Sequence, residues 1–297
     1  MTFYEIEFPL ATLRLDEVEA ALLEFGADSI TFLDHGDEPV LEPKPGEVRL
    51  WSDTLVRALF HEPEESRSES KRNLERLAAR LGREFSSSAC VRPVANQDWE
   101  RVWLADWKSM RFGRRLWVCP TAAVTPAGAD AVVVRLDPGL AFGTGTHPTT
   151  ALCLQILDSL PVSGREVIDY GCGSGILGLA ALKLGAAHVT AVDLDPQALL
   201  ATRANALRNG VSSRIDVQGI DAGLRTAYCV MANILAGPLI DLAPRLTAAC
   251  EPGGCLLLSG LLKTQAYAVK AAYAAAFDKV QVVERDDWCC IYARRVA

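Results

Sequence analysis

The first third of the chain alternates apolar and polar positions at spacings typical of short strands and helices. Residues 2–9 follow the two-residue period of a half-buried strand, and Leu15 to Phe25 repeat at helical spacing. Further strands are predicted over 29–33, 47–51, 56–60 and 89–94, and a charged second helix is predicted to end near Leu81. This order of strands and helices predicts a small α+β domain of ferredoxin-like type.

From about Val132 the pattern changes to apolar runs of strand length that alternate with helix-length segments. Such alternation predicts a parallel sheet with helices on both faces, an α/β fold of Rossmann-like type. The predicted strands cover 167–170, 189–193, 215–219, 230–233 and 255–258, and the helices cover 150–160, 174–184, 196–209, 238–250 and 264–277. Residues 279–284 and 289–295 are expected to pair as a final hairpin.

These two patterns divide the chain into three parts. We expect an α+β domain at 1–95, a linker and connecting helix at 96–130, and the α/β domain at 131–297. In the linker a tryptophan recurs at every fourth residue, at Trp99, Trp103 and Trp107. On a helix these side chains share one face, which either packs between the two domains or grips a substrate.

Composition and charge narrow the classes of function. Half of the 297 residues are apolar and 23% are charged, which is typical of a folded globular chain. No apolar run approaches the roughly 20 residues of a membrane span, and the start lacks the features of a signal peptide. The net charge of -7 disfavours a dedicated nucleic-acid surface. We therefore expect no membrane contact and a cytoplasmic location, and we take the chain to be a monomer.

The cysteines point to the same compartment. The nine cysteines form no Cys-x-x-Cys pair, and only four histidines are available to help bind a metal. An odd number of cysteines in a chain of this length argues against a disulfide framework. We expect reduced, mostly buried thiols, as in cytosolic proteins, and no metal site.

A glycine-rich segment follows the first long strand of the α/β region. Val167-Ile168-Asp169 ends this buried strand, the next helix begins near Ile176, and between them lie Gly171, Gly173 and Gly175. Glycines at this point let the backbone turn tightly and approach a ligand at the edge of the sheet. The segment is therefore a candidate cofactor-binding loop.

Two kinds of cofactor match this loop. Gly173, Gly175 and Gly178 also match the G-x-G-x-x-G dinucleotide pattern, and Asp193 lies 20 residues after Gly173. The carboxylate of Asp169 argues against a dinucleotide, because it would repel a diphosphate at the positive end of the helix. S-adenosylmethionine has no phosphate, and a carboxylate attracts its ammonium and sulfonium groups. We predict S-adenosylmethionine as the cofactor, with a nicotinamide or flavin cofactor as the alternative.

Acidic residues also follow the next two strands. Asp193, at the end of the second strand, can accept hydrogen bonds from both ribose hydroxyls of such a cofactor. Asp195 before Pro196 is predicted to cap the next helix, with proline in its first position. Asp221 follows the third strand, where it either contacts the adenine or is an ordinary loop residue.

Two further segments frame the predicted loop. A stretch rich in glycine and hydroxyl side chains precedes the helix upstream, which predicts a flap over 142–147 with Thr146 or Thr149 as the helix cap. His147 either relays a proton to solvent or is structural. Asn233 ends the fourth strand and offers an amide oxygen beside the transferable methyl, with capping as its alternative role.

Three stretches together resemble the bacterial ribosomal protein methyltransferase family called PrmA: Leu136 to Leu152, Val167 to Asn209 and Ala232 to Pro244. The ending Arg285-Asp286-Asp287-Trp288-Cys289 is also similar to that of the family, and so are the segments 43–51 and 110–113. The resemblance is strongest over the last two thirds of the chain. The segment Gly219 to Tyr228 departs from the family's pattern, which puts a role for Asp221 in doubt.

The resemblance implies a class I S-adenosylmethionine-dependent methyltransferase domain preceded by a small substrate-recognition domain. It implies a protein N-methyltransferase whose substrate is large-subunit ribosomal protein eleven, methylated on lysine side chains and on the N-terminal α-amine. Carried over by motif position, the cofactor contacts are Thr150, Gly171, Asp193 and Asn233, and Asn233 is the expected catalytic residue. The residues alone leave open a methyltransferase that acts on another protein, on RNA or on a small molecule.

Overall fold

The computed structural model describes residues 2–36, 50–62, 69–94, 108–124, 128, 130–137 and 145–296. The chain divides into two compact units, Met1–Trp99 and Glu100–Ala297. The predicted tryptophan face and residues 142–144 of the predicted flap lie outside the described residues, as do residues 47–49 of one predicted strand.

The first unit contains a four-stranded antiparallel sheet in the order β2-β3-β1-β4. Its strands are β1 (Thr2–Pro9), β2 (Ser29–Asp34), β3 (Thr54–Glu62) and β4 (Cys90–Val94). Helix α1 (Leu15–Glu24) connects β1 to β2, and α2 (Glu69–Leu81) with α3 (Arg83–Ser88) connects β3 to β4. This topology confirms the predicted ferredoxin-like type.

The alternation along β1 and β3 separates the two faces of this sheet. Tyr4, Ile6 and Phe8 are buried in one core with side chains of all three helices, including Leu22 and Phe85. The charged side chains lie on the opposite face of the sheet, as the two-residue period of a strand requires.

The second unit begins, within its described part, with a small sheet in the order β5-β6-β7. Strands β5 (Met110–Phe112) and β6 (Leu116–Cys119) pair antiparallel, and β7 (Val132–Arg135) pairs parallel to β6. We expected a linker and connecting helix over 96–130. The structure places two strands within this stretch, and residues 96–107, which include the predicted tryptophan helix, lie outside the described residues. Both strands are too short to show a strand period in the sequence. The boundaries at 95 and 130 stay a prediction.

A seven-stranded sheet forms the centre of the second unit, in the order β10-β9-β8-β11-β12-β14-β13. Its strands are β8 (Glu166–Tyr170), β9 (His188–Asp193), β10 (Ile215–Gly219), β11 (Ala227–Asn233), β12 (Cys250–Leu262), β13 (Phe277–Arg285) and β14 (Trp288–Arg295). The first five pair parallel, and β14 pairs antiparallel with both β12 and β13. The predicted parallel sheet and final hairpin are therefore confirmed.

Helices cover both faces of this sheet. They are α4 (Pro148–Leu157), α5 (Ile176–Lys183), α6 (Pro196–Arg208), α7 (Ala236–Asp241), α8 (Ala243–Ala249) and α9 (Ala266–Tyr273). The predicted helix over 238–250 is two helices, because Pro244 in the first turn of α8 has no N–H to continue α7. None of the described helices is long and apolar enough to cross a membrane.

Neighbouring residues of one strand enter different cores. Val167 packs with side chains of α4, α5 and α6, whereas Ile168 packs with those of α7, α8 and α9. Burying such side chains contributes about 1.5–3 kcal/mol each, so both helix layers are held by the same strands. All nine cysteines are free thiols, and eight of them are buried, as predicted.

The strand order also locates a crevice. From β8 the chain adds β9 and β10 on one side and β11 and β12 on the other. Helices that leave β8 and β11 therefore diverge to opposite faces, and a gap opens beyond the carboxyl ends of these two strands. Ligands of open α/β sheets bind in this gap.

Candidate active site

The glycine loop between β8 and α5 lies at this crevice. Gly171, Gly173 and Gly175 have φ values of +76°, +54° and +79°, a region that side chains other than glycine rarely adopt. A Cβ at Gly171 would also overlap Cγ2 of Ile234. The loop therefore presents bare backbone to the crevice, and at Gly171 there is no room for a side chain beside Ile234.

Helix α6 holds the loop from behind. Thr202 Oγ1 donates to the carbonyl oxygen of Gly173 at 3.0 Å, and Asn205 Nδ2 donates to that of Ser174 at 2.9 Å. Both side chains are buried. The sequence analysis missed them, although polar residues on the buried face of a predicted helix are a usable signal. They keep the loop in one conformation before any ligand binds.

Asp169 lies beneath the loop and is almost fully buried, with 1% of its surface exposed. Its Oδ2 accepts a hydrogen bond from the backbone N–H of Gly178 at 2.8 Å. Burial raises the pKa of Asp169 to about 7, against the lowering effect of that hydrogen bond, and the nearby charge of Asp193 raises it further. A positive charge beside this carboxyl would favour its ionised form.

Gly178 completes the alternative dinucleotide pattern, and close packing explains why a glycine occupies this position. A Cβ at this position would lie 3.0 Å from Val189 Cγ1 and 3.2 Å from Asp169 Oδ2. A side chain here would make its neighbours shift by a few tenths of an ångström, so close packing of α5 on the sheet favours a glycine whichever cofactor the loop holds.

Asp193 ends β9 and joins the loop to the next helix. Its Oδ2 accepts from Gly173 N at 2.8 Å, and its Oδ1 accepts from Asp195 N at 3.0 Å. Each carboxylate oxygen keeps a further lone pair, so ribose hydroxyls can still bind there. Asp195 caps α6 as predicted, because its Oδ1 accepts from Gln197 N at 2.9 Å and Pro196 occupies the first turn.

Asn233 ends β11 on the other side of the crevice. Its Nδ2 donates to Thr150 Oγ1 at 3.2 Å, and this bond connects the end of β11 to the first turn of α4. Its Oδ1 is buried and has no hydrogen-bond partner within the described part of the chain. Two residues that are 83 positions apart in the sequence thus meet, and their roles as cofactor contacts stay a prediction.

His147, and neither Thr146 nor Thr149, caps helix α4. Its Nδ1 accepts from Thr149 N at 3.4 Å and lies 2.7 Å from Thr149 Oγ1. Its ring packs edge-on against Trp288, with 4.7 Å between ring centroids. Partial burial lowers the pKa of His147, so the ring is neutral at pH 7 and can accept at Nδ1. These contacts support its structural interpretation over the proton relay.

Asp221 is exposed and follows β10 in a turn closed by Ala222 N and Gly219 O at 3.2 Å. Arg245 donates to the carbonyl oxygens of Ile220 and Ala222 and so holds the turn. A contact between Asp221 and an adenine stays a prediction.

A separate cavity of about 840 Å³ opens beyond the last turn of α4, at the opposite end of that helix from Thr150. Charged residues of both signs line it: Arg111, Arg114, Arg115, Asp130 and Asp158. The buried carboxyl of Asp158 lies 3.6 Å from Arg115 Nε and offsets part of the positive charge. None of the predicted site residues lines this cavity, so the candidate site is the crevice at the glycine loop.

The described residues fit S-adenosylmethionine. Four features surround one crevice. They are the bare backbone of the glycine loop, the buried carboxyl of Asp169, the carboxylate of Asp193 with its spare lone pairs, and the amide oxygen of Asn233, which has no partner among the described residues. This strand order, with a glycine turn after the central strand and an acid at the end of the next, defines the class I S-adenosylmethionine-dependent methyltransferases. The protein is an enzyme of this class. More narrowly, the chain belongs to the PrmA family, ribosomal protein L11 methyltransferase, whose model matches residues 2–296.

Individual relatives agree with this family. The ribosomal protein L11 methyltransferase of Pseudomonas aeruginosa (strain LESB58) is 48% identical over 299 residues and covers 100% of both chains. That of Escherichia coli (strain SMS-3-5 / SECEC) is 48% identical over 297 residues, covering 99% of this chain and 100% of its own. A crystal structure of a ribosomal protein L11 methylase from Lactobacillus delbrueckii subsp. bulgaricus superposes with a TM-score of 0.58 at 31% identity, covering 64% of this chain and 100% of that chain.

Proposed function

We propose that this chain methylates ribosomal protein L11 on lysine side chains and on the N-terminal α-amine. The relatives from P. aeruginosa and E. coli carry this substrate in their names. The observation that carries the proposal is the buried Oδ1 of Asn233 at the end of β11, which none of the described residues bonds. Such an oxygen costs about 1–3 kcal/mol until a donor bonds it, and an amine N–H is a suitable donor.

The acceptor amine must be neutral, because an ammonium has no lone pair, and free lysine has a pKa of about 10.4. S-adenosylmethionine supplies an electrophilic methyl group on a sulfonium. Asn233 Oδ1 accepts one N–H of the amine and so directs its lone pair. Thr150 keeps this oxygen facing the crevice, because the amide nitrogen of Asn233 donates to it. Desolvation in the crevice lowers the pKa of the bound lysine, so its proton is released to solvent.

The remaining site residues hold the donor. Gly171, Gly173 and Gly175 admit it to the backbone, since their φ values exclude side chains there. Asp193 accepts the ribose hydroxyls with its spare lone pairs. Asp169 favours the cationic amino-acid end, because a nearby positive charge offsets the burial of its carboxylate. Thr150 and Asn233 complete the contacts on the opposite side.

The parts of the chain have separate roles in this proposal. The domain at 1–95 recognises the substrate, the linker at 96–130 connects the two domains, and the domain at 131–297 carries out methyl transfer. The enzyme acts as a monomer in the cytoplasm, where new ribosomal proteins are available.

A labelling experiment tests the function. The purified chain is incubated with labelled donor, ribosomal protein L11 and ribosomal RNA, and the products are mapped by mass spectrometry. We expect label on lysines and on the N-terminal amine of L11. Label in RNA alone, or in another protein alone, would overturn the choice of substrate.

The role of Asn233 is tested in the same assay with Asn233→Ala. We expect turnover to fall about 100-fold, because the amine loses its orientation, and donor affinity measured by calorimetry to fall by a smaller factor. Unchanged turnover would remove Asn233 from the catalytic role.

A further inference from the structure

The peptide after Asn233 lies against a second glycine, Gly260 of β12. Gly260 has a φ of +85°. A Cβ built on it would lie 2.7 Å from the carbonyl carbon of Ile234 and 2.8 Å from its nitrogen, and would overlap its carbonyl oxygen. Ile234 N also donates to Ser259 O at 3.1 Å. The backbone of β12 therefore packs directly against the peptide that follows Asn233.

Gly260 lies at a bulge in β12. Between Leu258 and Leu261 the strand advances three residues, while its partner β14 advances two, from Ile291 to Cys289. Such an extra residue bends the strand locally, and a glycine at positive φ is a common way to form it. Ser259 Oγ anchors the bulge by donating to Cys289 O at 2.9 Å.

The opposite side of Ile234 contacts the cofactor loop. A Cβ at Gly171 would overlap Ile234 Cγ2, so this side chain lies directly against the first glycine of the loop. Ile234 is therefore held between two glycines, one in the cofactor loop and one in β12. Its neighbour Asn233 is therefore restricted in how far it can move toward or away from the crevice.

We propose that Gly260 is a positioning residue for methyl transfer, which sets the orientation of Asn233 through the backbone of Ile234. The inference rests on the role given above to Asn233. The positive φ of Gly260 alone would not support a positioning role, because Gly253 of the same strand has a φ of +71° and no atom within 4 Å of a Cβ built on it. The difference between these two glycines is the contact with Ile234.

The test compares Gly260→Ala with Gly253→Ala. Both variants add one methyl group at positive φ in β12, but only the first displaces the Ile234 peptide. For Gly260→Ala we expect kcat to fall about 100-fold, as for a displacement of about 1 Å at a reacting group, with donor affinity within about threefold. Gly253→Ala should keep the kcat of the wild type. Equal kcat for the two variants would overturn the proposal.

A structural measurement separates this proposal from the choice of substrate. In crystal structures of both variants, the 3.2 Å contact between Asn233 Nδ2 and Thr150 Oγ1 should be lost in Gly260→Ala and kept in Gly253→Ala. This measurement needs no methyl acceptor, so it remains decisive if ribosomal protein L11 is not the substrate. An unchanged contact in Gly260→Ala would overturn the positioning role while leaving the proposed function intact.

If Gly260→Ala does not fold, Ser259→Ala takes its place. This variant removes the anchor of the bulge without adding atoms. We expect a several-fold lower kcat and unchanged donor affinity, and an unchanged kcat would contradict the proposal.

Discussion

The two units of the chain use polar side chains differently. In the first unit, charged groups pair with one another on an accessible sheet face, as Arg57 Nη2 does with Glu7 Oε2 at 2.7 Å. In the second unit, buried polar groups gather at the carboxyl ends of β8 and β11, where Asp169 has a raised pKa and the amide oxygen of Asn233 has no hydrogen-bond partner among the described residues. A buried polar group without a full set of partners lowers stability. Such groups therefore mark where a ligand is expected to bind.

The glycines with positive φ are also of two kinds. Gly26 and Gly164 have positive φ and no atom within 4 Å of a built Cβ, so they serve turns only. Gly171 and Gly260 combine positive φ with a blocked Cβ position against Ile234. Only the second kind couples the backbone to the site, and the same substitution should have different effects on the two kinds.

The largest effect on donor affinity is expected for Gly171→Ala. The added Cβ overlaps Ile234 at a positive φ and so forces the loop to shift, and donor affinity should fall at least about tenfold, equivalent to about 1.4 kcal/mol. Calorimetric titration with S-adenosylmethionine measures this. Gly164→Ala is the matched control, and it should bind as the wild type does. Equal affinities would show that the loop does not contact the donor.

A smaller, pH-dependent effect is expected for Asp169→Asn. With a pKa of about 7, Asp169 becomes ionised as pH rises through neutrality, so the affinity of the cationic donor should increase over that range and then level off. The amide variant should bind more weakly above pH 7 and lose this dependence. A wild-type affinity that does not change with pH would exclude electrostatic attraction by Asp169.

The same residue makes a prediction for stability without donor. Its folded pKa lies above the ordinary value of 3.8, so the folded protein keeps a proton that the unfolded chain releases. Its contribution to the free energy of unfolding is therefore present below about pH 4 and lost as pH rises through about 7. Denaturant unfolding should show this loss in the wild type and its absence in Asp169→Asn.

The smallest effect is expected in the first unit, for Arg57→Ala. The guanidinium is 42% exposed, so solvent screens its pair with Glu7 and the free energy of unfolding should change by less than about 1 kcal/mol. Donor affinity should not change. A loss of donor affinity would break the division of roles between the two units.

Much of the site was predictable because its signals are local. The glycine spacing after β8, the acid ending β9 and the Asp195-Pro196 cap each depend on residues that are adjacent in the chain. The tertiary contacts were not predictable in this way. Thr202 and Asn205 support the loop from 29 and 31 residues away, and His147 became a cap where a threonine was expected.

The alternation of strands and helices, the position of the cofactor loop and the family resemblance can all be predicted from the sequence, because hydrophobic period and glycine spacing are properties of short segments. The contact between Asn233 and Thr150 and that between Gly260 and Ile234 become visible only in the folded chain. These features depend on which strands become neighbours. That choice is made by packing the whole sheet between its two helix layers, and no short segment contains it.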